Sequence, residues 1–207
     1  MKISFAITVS NELQEIKRLV PFLLTNKRIW DEIVILFDEK NGDERVLDFL
    51  LPFNLRPGIQ TWRSTEFKND FAEWKNKLNS YCTGDFIYQI DADEMVSEYI
   101  VKNLHEIISL NPEIDLYFVP RINTVEGITE EHIQKWGWKV NEKGWINFPD
   151  YQGRIYRQKM TWYGKVHEKI IGGTRFSVLP IDESEYCIQH HKTIEKQVIQ
   201  NELYSRI

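Results

Sequence analysis

Tyr88-Gln89-Ile90-Asp91-Ala92-Asp93-Glu94 is the stretch whose reading decides the fold. Residues 85–90 (DFIYQI) form an apolar strand signal that runs directly into three carboxylates within four positions. Strand side chains alternate, so Asp91 and Asp93 point the same way, and Ala92 the other, wherever the extended conformation persists. Two carboxylates converging at a strand end repel each other unless a cation or hydrogen-bond donors lie between them. In open α/β sheets, ligands bind at that carboxyl edge. Hard oxygen ligands suit Mg²⁺ or Mn²⁺, ions that bridge protein carboxylates to substrate phosphates. The competing structural reading has Asp93 or Glu94 capping the next helix and the remaining acids solvated. Phosphatases of the haloacid dehalogenase type carry D-x-D at the first strand. Here it falls near mid-chain, at about the fourth strand, which disfavours them.

Outward from this stretch the chain alternates strand-like and helix-like signals, the pattern of an α/β fold. Residues 3–9 and 32–37 are β-branched runs suited to strands buried on both faces. Asn11 is placed to cap a helix carrying Leu13, Ile16 and Val20. Asn41-Gly42-Asp43 is turn chemistry before a helical pattern over 46–51, which Pro52 stops. Asp70 caps a helix with Phe71, Trp74, Leu78 and Cys82 on one face, and Thr83-Gly84 ends it. Residues 97–110 read as helix and 116–119 as strand. After Pro120 no period is visible. Residues 121–150 hold Trp136, Trp138 and Trp145 and read as a long loop or small subdomain. Residues 152–157, 165–171 and 185–190 are expected as short strands. Thr193 to the end is expected as a helix with Ile194, Val198 and Leu203 on its apolar stripe. The expectation is a single domain, with 1–120 as one part and 121–207 as another.

The 207 residues include 31 acidic and 26 basic side chains, a net charge of −5, which disfavours a protein that coats nucleic acid. No apolar run approaches the ~20 residues of a membrane span. The N-terminus lacks the pattern of a signal peptide. Two cysteines are no disulfide framework, and a reduced, cytoplasmic setting is expected. The 11 Phe, 9 Tyr and 7 Trp are an unusual load, suited to a core or to walls that stack on sugars and bases.

Four segments then occur in order: Thr8-Val9-Ser10-Asn11-Glu12, Phe71 to Leu78 (FAEWKNKL), Thr83-Gly84-Asp85-Phe86-Ile87 and Asp91-Ala92-Asp93-Glu94. Together with Asp38 and Asp43 they resemble family 2 glycosyltransferases of the GT-A fold. Lys75 stands where that family usually has arginine, and Glu39-Lys40-Asn41-Gly42 replaces a small glycine-serine-threonine turn. The resemblance covers roughly the first 120 residues. It implies a Rossmann-like, mostly parallel sheet flanked by helices, with a short antiparallel acceptor-side portion. It also implies a nucleotide-sugar donor, with UDP as the expected nucleotide, and a Mn²⁺ or Mg²⁺ cofactor. On that footing Thr8, Asn11, Glu12, Asp38, Asp43, Lys75, Asp91 and Ala92 would line the donor site, Asp38 and Asp43 toward base or ribose and Lys75 toward the diphosphate. Asp93 would hold the metal.

A second constellation, Trp162-Tyr163-Gly164-Lys165-Val166-His167-Glu168, resembles the G-x-V-H-E stretch of the same family. Inverting transfer needs a base on the acceptor hydroxyl. Glu168 is the candidate, with Glu94 and Asp150 as rivals. If the segment is a strand, His167 faces away from Glu168. Cys187-Ile188-Gln189-His190-His191 matches no standard zinc spacing. The resemblance makes His190 a second metal ligand, and a structural histidine is the alternative. Cys187 reads as a small buried apolar residue. Trp136, Trp138, Trp145, Trp162 and Tyr163 could form an acceptor wall, or a satellite cluster beneath a loop. Arg154 and Arg157 resemble the family's G-R-I-F-R strand, facing phosphate or bracing the insertion. The acceptor would be a glycan, lipid-linked or protein hydroxyl. Two rivals remain: a carbohydrate-binding or inactive transferase-like module, and a nucleotidyltransferase. The latter would want a glycine-rich loop after the first strand, where Ser10-Asn11-Glu12-Leu13 stands.

Overall fold

The computed structural model describes residues 1–165, 167–181 and 184–204. In chain order the elements are β1 (Ile3–Val9), α1 (Leu13–Asn26), β2 (Glu32–Asp38), α2 (Glu44–Leu50), β3 (Ile59–Ser64), α3 (Phe71–Tyr81), β4 (Phe86–Asp91), β5 (Glu94–Met95) and α4 (Glu98–Leu110). There follow β6 (Leu116–Glu126), α5 (Glu130–Trp136), β7 (Ile146–Arg157), β8 (Thr161–Tyr163), β9 (Lys169–Ile171), β10 (Phe176–Val178), β11 (Ile188–Thr193) and α6 (Ile194–Tyr204).

The main sheet runs β3-β2-β1-β4-β7-β6-β11-β5, with β10 paired to the start of β6. Strands β3, β2, β1 and β4 are mutually parallel. β7 is antiparallel to both β4 and β6, and β5 is antiparallel to β11. β8 and β9 form a small separate antiparallel sheet. Because β1 lies between β2 and β4, the chain order reverses at β1/β4, where Thr8 sits beside Asp91. Such a reversal opens a crevice at the carboxyl ends of the strands.

Alternation along each central strand builds two cores. Ile3, Phe5 and Ile7 of β1, with Ile33, Ile35 and Phe37 of β2, face the layer of α1, α2 and α4. Ala6, Val34, Leu36 and Ile87 face α3 and Trp162. Burying each large side chain contributes roughly 1.5–3 kcal/mol. Asp70 and Ser97 cap α3 and α4 through the amides of Glu73 and Ile100. Gly84 is required by close approach, since a Cβ there would lie 2.7 Å from the Ser4 nitrogen. Among the described residues, no helix is long and apolar enough to cross a membrane.

Several expectations need correction. Glu12, not Asn11, occupies the N-cap of α1, and its own carboxylate binds the preceding amides. α2 ends at Leu50, just before Pro52 as expected, and a 3₁₀ segment over Leu51–Leu55 follows it. Residues 121–150 are no long loop: β6 continues to Glu126, α5 follows, and β7 begins at Ile146. Pairing between β6 and β7 supplies the order that periodicity did not reveal. Of the expected strand over 165–171, only Lys169–Ile171 is strand, as β9, and His167 before it stands at φ 54°. Val166 lies outside the described residues, as do residues 205–207 and the Leu203 side chain. β3, β5, β8 and β10 carry too few apolar positions to be read alone.

Candidate functional site

The site lies where β4 stops. Asp91 is its last residue, Ala92 and Asp93 make a turn, and Glu94 opens β5. The extended conformation therefore ends before the two aspartates can share a direction, and each meets a different cation. Asp91 Oδ2 accepts from Arg154 Nη2 at 2.7 Å, and its Oδ1 is 3.7 Å from Lys75 Nζ. Asp93 Oδ2 lies 3.2 Å from both His190 Nε2 and Lys192 Nζ. Ala92 packs into the core. Glu94, 2% exposed, accepts from Arg154 and from Arg121 at 3.0 Å and takes the Asp91 amide on its other oxygen. It is a structural anchor rather than a free base, and Ser97 takes the helix-capping role.

Burial alone would raise the Asp91 carboxyl, but Arg154 and Lys75 outweigh it and hold it well below the usual carboxylate range. Asp93 is likewise depressed against burial, by His190 and Lys192. Glu12 behaves oppositely. Burial, with the charge of Asp93 adding to it, raises its pKa despite hydrogen bonds from the Ser10 and Asn11 amides.

Across the α3 side, Lys75, 6% exposed, bridges the cluster to the turn after β8. Its Nζ donates to Glu168 Oε1 at 2.6 Å and sits 4.5 Å from the Trp162 ring centroid. This committed position differs from the expected reach toward a diphosphate. Trp162 is 6% exposed, donates to Tyr156 Oη at 2.9 Å, and belongs to the core, so its ring is no acceptor wall. Tyr163 is 70% exposed and does face outward. Trp136 stacks between His132 and Trp138, while Trp145 packs on Phe148 beneath Lys143.

Asp150, on β7, is enclosed. Arg121 donates to it twice, at 3.0 and 2.7 Å, and Asn123 and Gln152 once each. Burial opposes but does not cancel these donors, so its pKa is lowered. Asp38 turns back onto Lys40, Asn41 and its own loop, and Asp43 caps α2 while pairing with Arg45. Arg157 pairs with Asp115, far from Arg154's partners, because the two lie three apart on a strand. Cys187 is buried. His191 points to Thr124, away from Asp93. Arg121, Asn123 and Lys192 escape the sequence reading. Lys192 alone carried a signal, being two residues from His190 on a strand and so on the same face.

An imidazole beside a carboxylate is a donor set acceptable to Mn²⁺, and less so to Mg²⁺. Six carboxylates (Glu12, Asp91, Asp93, Glu94, Asp150, Glu168) surround four fixed cations, leaving the cluster short of positive charge. The residues thus fit a divalent ion, although Lys192 competes for the same Asp93 oxygen. Among the described residues no three His, Cys, Asp or Glu side chains converge as a ready metal cage. Remaining ligands would come from phosphate and water, as is usual for such ions.

Comparison with solved structures matches 92% of this chain to 60% of S. aureus TarS 1-349, a GT-A glycosyltransferase, with a TM-score of 0.63 and 14% identity. The fold is GT-A. TarS 1-349 in complex with UDP-GlcNAc gives a TM-score of 0.63 over 93% of this chain and 59% of that one, at 15% identity. In sequence, the GT-A chain is 25% identical over 176 residues to the SPbeta prophage-derived glycosyltransferase SunS of Bacillus subtilis (strain 168), and equally to glycosyltransferase SunS of Bacillus phage SPbeta. Each alignment covers 81% of this chain and 34% of the relative, so the chain spans about a third of the length of the curated relatives it matches. No protein-family model matches it.

Proposed function

We propose that this chain transfers a sugar from a nucleotide-sugar donor, with UDP as the nucleotide, to a hydroxyl acceptor, using a divalent cation and inverting the anomeric centre. The observation that carries the reading is the carboxylate cluster at the β1/β4 reversal, with Asp93 and His190 side by side at its mouth. The sequence likeness to SunS and the UDP-GlcNAc complex of TarS, whose fold this chain shares, support the same reading.

A divalent ion held by Asp93 and His190 would supply Lewis-acid stabilisation of the leaving diphosphate, worth several kcal/mol. The chain's own residues do the rest. Glu168 takes the proton of the acceptor hydroxyl. Its Oε1 is held by Lys75, and among the described residues no hydrogen bond reaches Oε2. Asp150 is the poorer base, since its donors already occupy both oxygens and lower its proton affinity. Asp91, fixed by Arg154, would meet the ribose or the metal. Tyr163, exposed at the end of β8, offers a ring face to an acceptor sugar, whereas Trp136 and Trp145 already pack against His132, Trp138, Phe148 and Lys143.

The test is donor hydrolysis and UDP binding measured with a panel of nucleotide sugars, with and without Mn²⁺. The expected result is Mn²⁺-dependent UDP affinity that Asp93→Asn weakens by at least ~10-fold, about 1.4 kcal/mol. Unchanged calorimetric affinity in a folded variant would overturn the metal assignment.

A further inference from the structure

Asn123 and His190 are direct cross-strand partners on β6 and β11. Asn123 Oδ1 lies 2.7 Å from His190 Nδ1, and Asn123 Nδ2 donates to Asp150 Oδ2 at 2.8 Å. An ionised carboxylate only accepts hydrogen bonds, and two donations from Arg121 keep Asp150 ionised. The Asn123 amide therefore cannot turn over, because its oxygen would then meet the Asp150 oxygen. With Oδ1 committed toward the ring, Nδ1 must carry the proton. In the neutral imidazole, Nε2 is then a bare lone pair 3.2 Å from Asp93 Oδ2, two acceptors that only a shared cation, or a second proton that charges the ring and lowers the Asp93 pKa, reconciles.

We propose that Asn123 is a positioning residue that locks His190 in the Nδ1–H tautomer, with Asp150 as the group that sets the amide's direction. The chain Arg121–Asp150–Asn123–His190 presents the Nε2 lone pair beside Asp93, where a divalent cation can take both. This rests on the metal-dependent reading above and assigns Asp150 to orientation rather than to base catalysis. Outer partners of this kind orient metal-binding histidines, and their loss typically costs ~10–100-fold in metal affinity. Lys192, on the same face as His190, is the other charged group that reaches Asp93, and Glu94 is the residue paired with His190 on β5.

Long-range ¹H–¹⁵N correlation spectra of metal-free, ¹⁵N-labelled protein decide the matter, recorded at a pH where the ring is neutral, with His190→Gln identifying the signal among five histidines. Wild type is expected to show a pyrrole-type Nδ1 and a pyridine-type Nε2. Asp150→Asn, which frees the amide to turn, is expected to move population to the Nε2–H form. Asn123→Ala is expected to do the same and to weaken Mn²⁺ binding, read by electron paramagnetic resonance without donor, by ~10–100-fold. An Nε2–H wild type, or a tautomer that Asp150→Asn leaves unmoved, overturns the proposal. So does unchanged Mn²⁺ affinity in Asn123→Ala. A wild type with the expected tautomer that binds no Mn²⁺ overturns the metal reading instead, and the purpose assigned to the tautomer with it.

Discussion

Replacing Arg154 with methionine removes the guanidinium that ties the end of β4 to β5 while keeping side-chain volume. Arg154 is 2% exposed, and its Nη2 is shared between Asp91 and the fully buried carboxylate of Glu94. Removing one partner of a buried ion pair costs about 3–5 kcal/mol, because the other charge is left unpaired. Arg121 still reaches Glu94 at 3.0 Å, Lys75 lies 3.7 Å from Asp91, and the unpartnered Nε of Arg154 disappears with the side chain. These offsets place the expected loss near ~3 kcal/mol, a fall in Tm of about 6–12 °C for a domain of this size. The pH dependence follows from the sign of the Asp91 shift. Its folded pKa is depressed, so the stability it contributes is present above the ordinary carboxylate pKa and is lost as pH falls through the folded value. Without Arg154 the balance tips toward burial, which favours the neutral acid. The deficit relative to wild type should then be full at pH ~7, well above the ordinary carboxylate pKa, and smaller at pH ~3, below it. Urea unfolding at both pH values measures it. A Tm change under ~2 °C, or a deficit that does not depend on pH, would refute the reasoning.

Glu168→Gln should cut sugar transfer by ~10²–10⁴ while leaving UDP affinity near wild type, by turnover assay and calorimetry; normal turnover removes Glu168 from the mechanism. NMR of the product should show the anomeric configuration opposite to the donor's, and retention would exclude a single displacement. Gly42→Ala should destabilise the fold by about 1–3 kcal/mol, because its Cβ would lie 2.3 Å from the Asp38 carbonyl oxygen and 2.6 Å from the Phe37 ring. Thermal melts check this, and an unchanged Tm would mean that the loop gives way freely.

Local periodicity and capping chemistry settled the first half of this protein. Strands β1, β2 and β4, helix α3 with its Asp70 cap, helix α4 and the acidic strand end were legible because each depends on neighbours close in sequence, whereas the cap of α4 proved to be Ser97 rather than Asp93 or Glu94. His190 could be preferred over His191 as the ligand from the resemblance and the strand reading, and the fold turns it to Asp93. What the residues do to one another was decided in three dimensions. The partners of Asp91, Asp93 and Glu94 come from 27 to 99 positions away or from another layer, as with Arg121, Arg154, His190 and Lys192. Trp162 and Tyr163 are adjacent, yet strand alternation sends one into the core and the other to the surface. Residues 116–119 and 152–157 read as strands, but the rest of β6 and β7 was hidden because a strand between two others needs no clean amphipathic period, only partners. A one-dimensional pattern records which face a residue can take; which charge waits on that face is a property of the packed sheet.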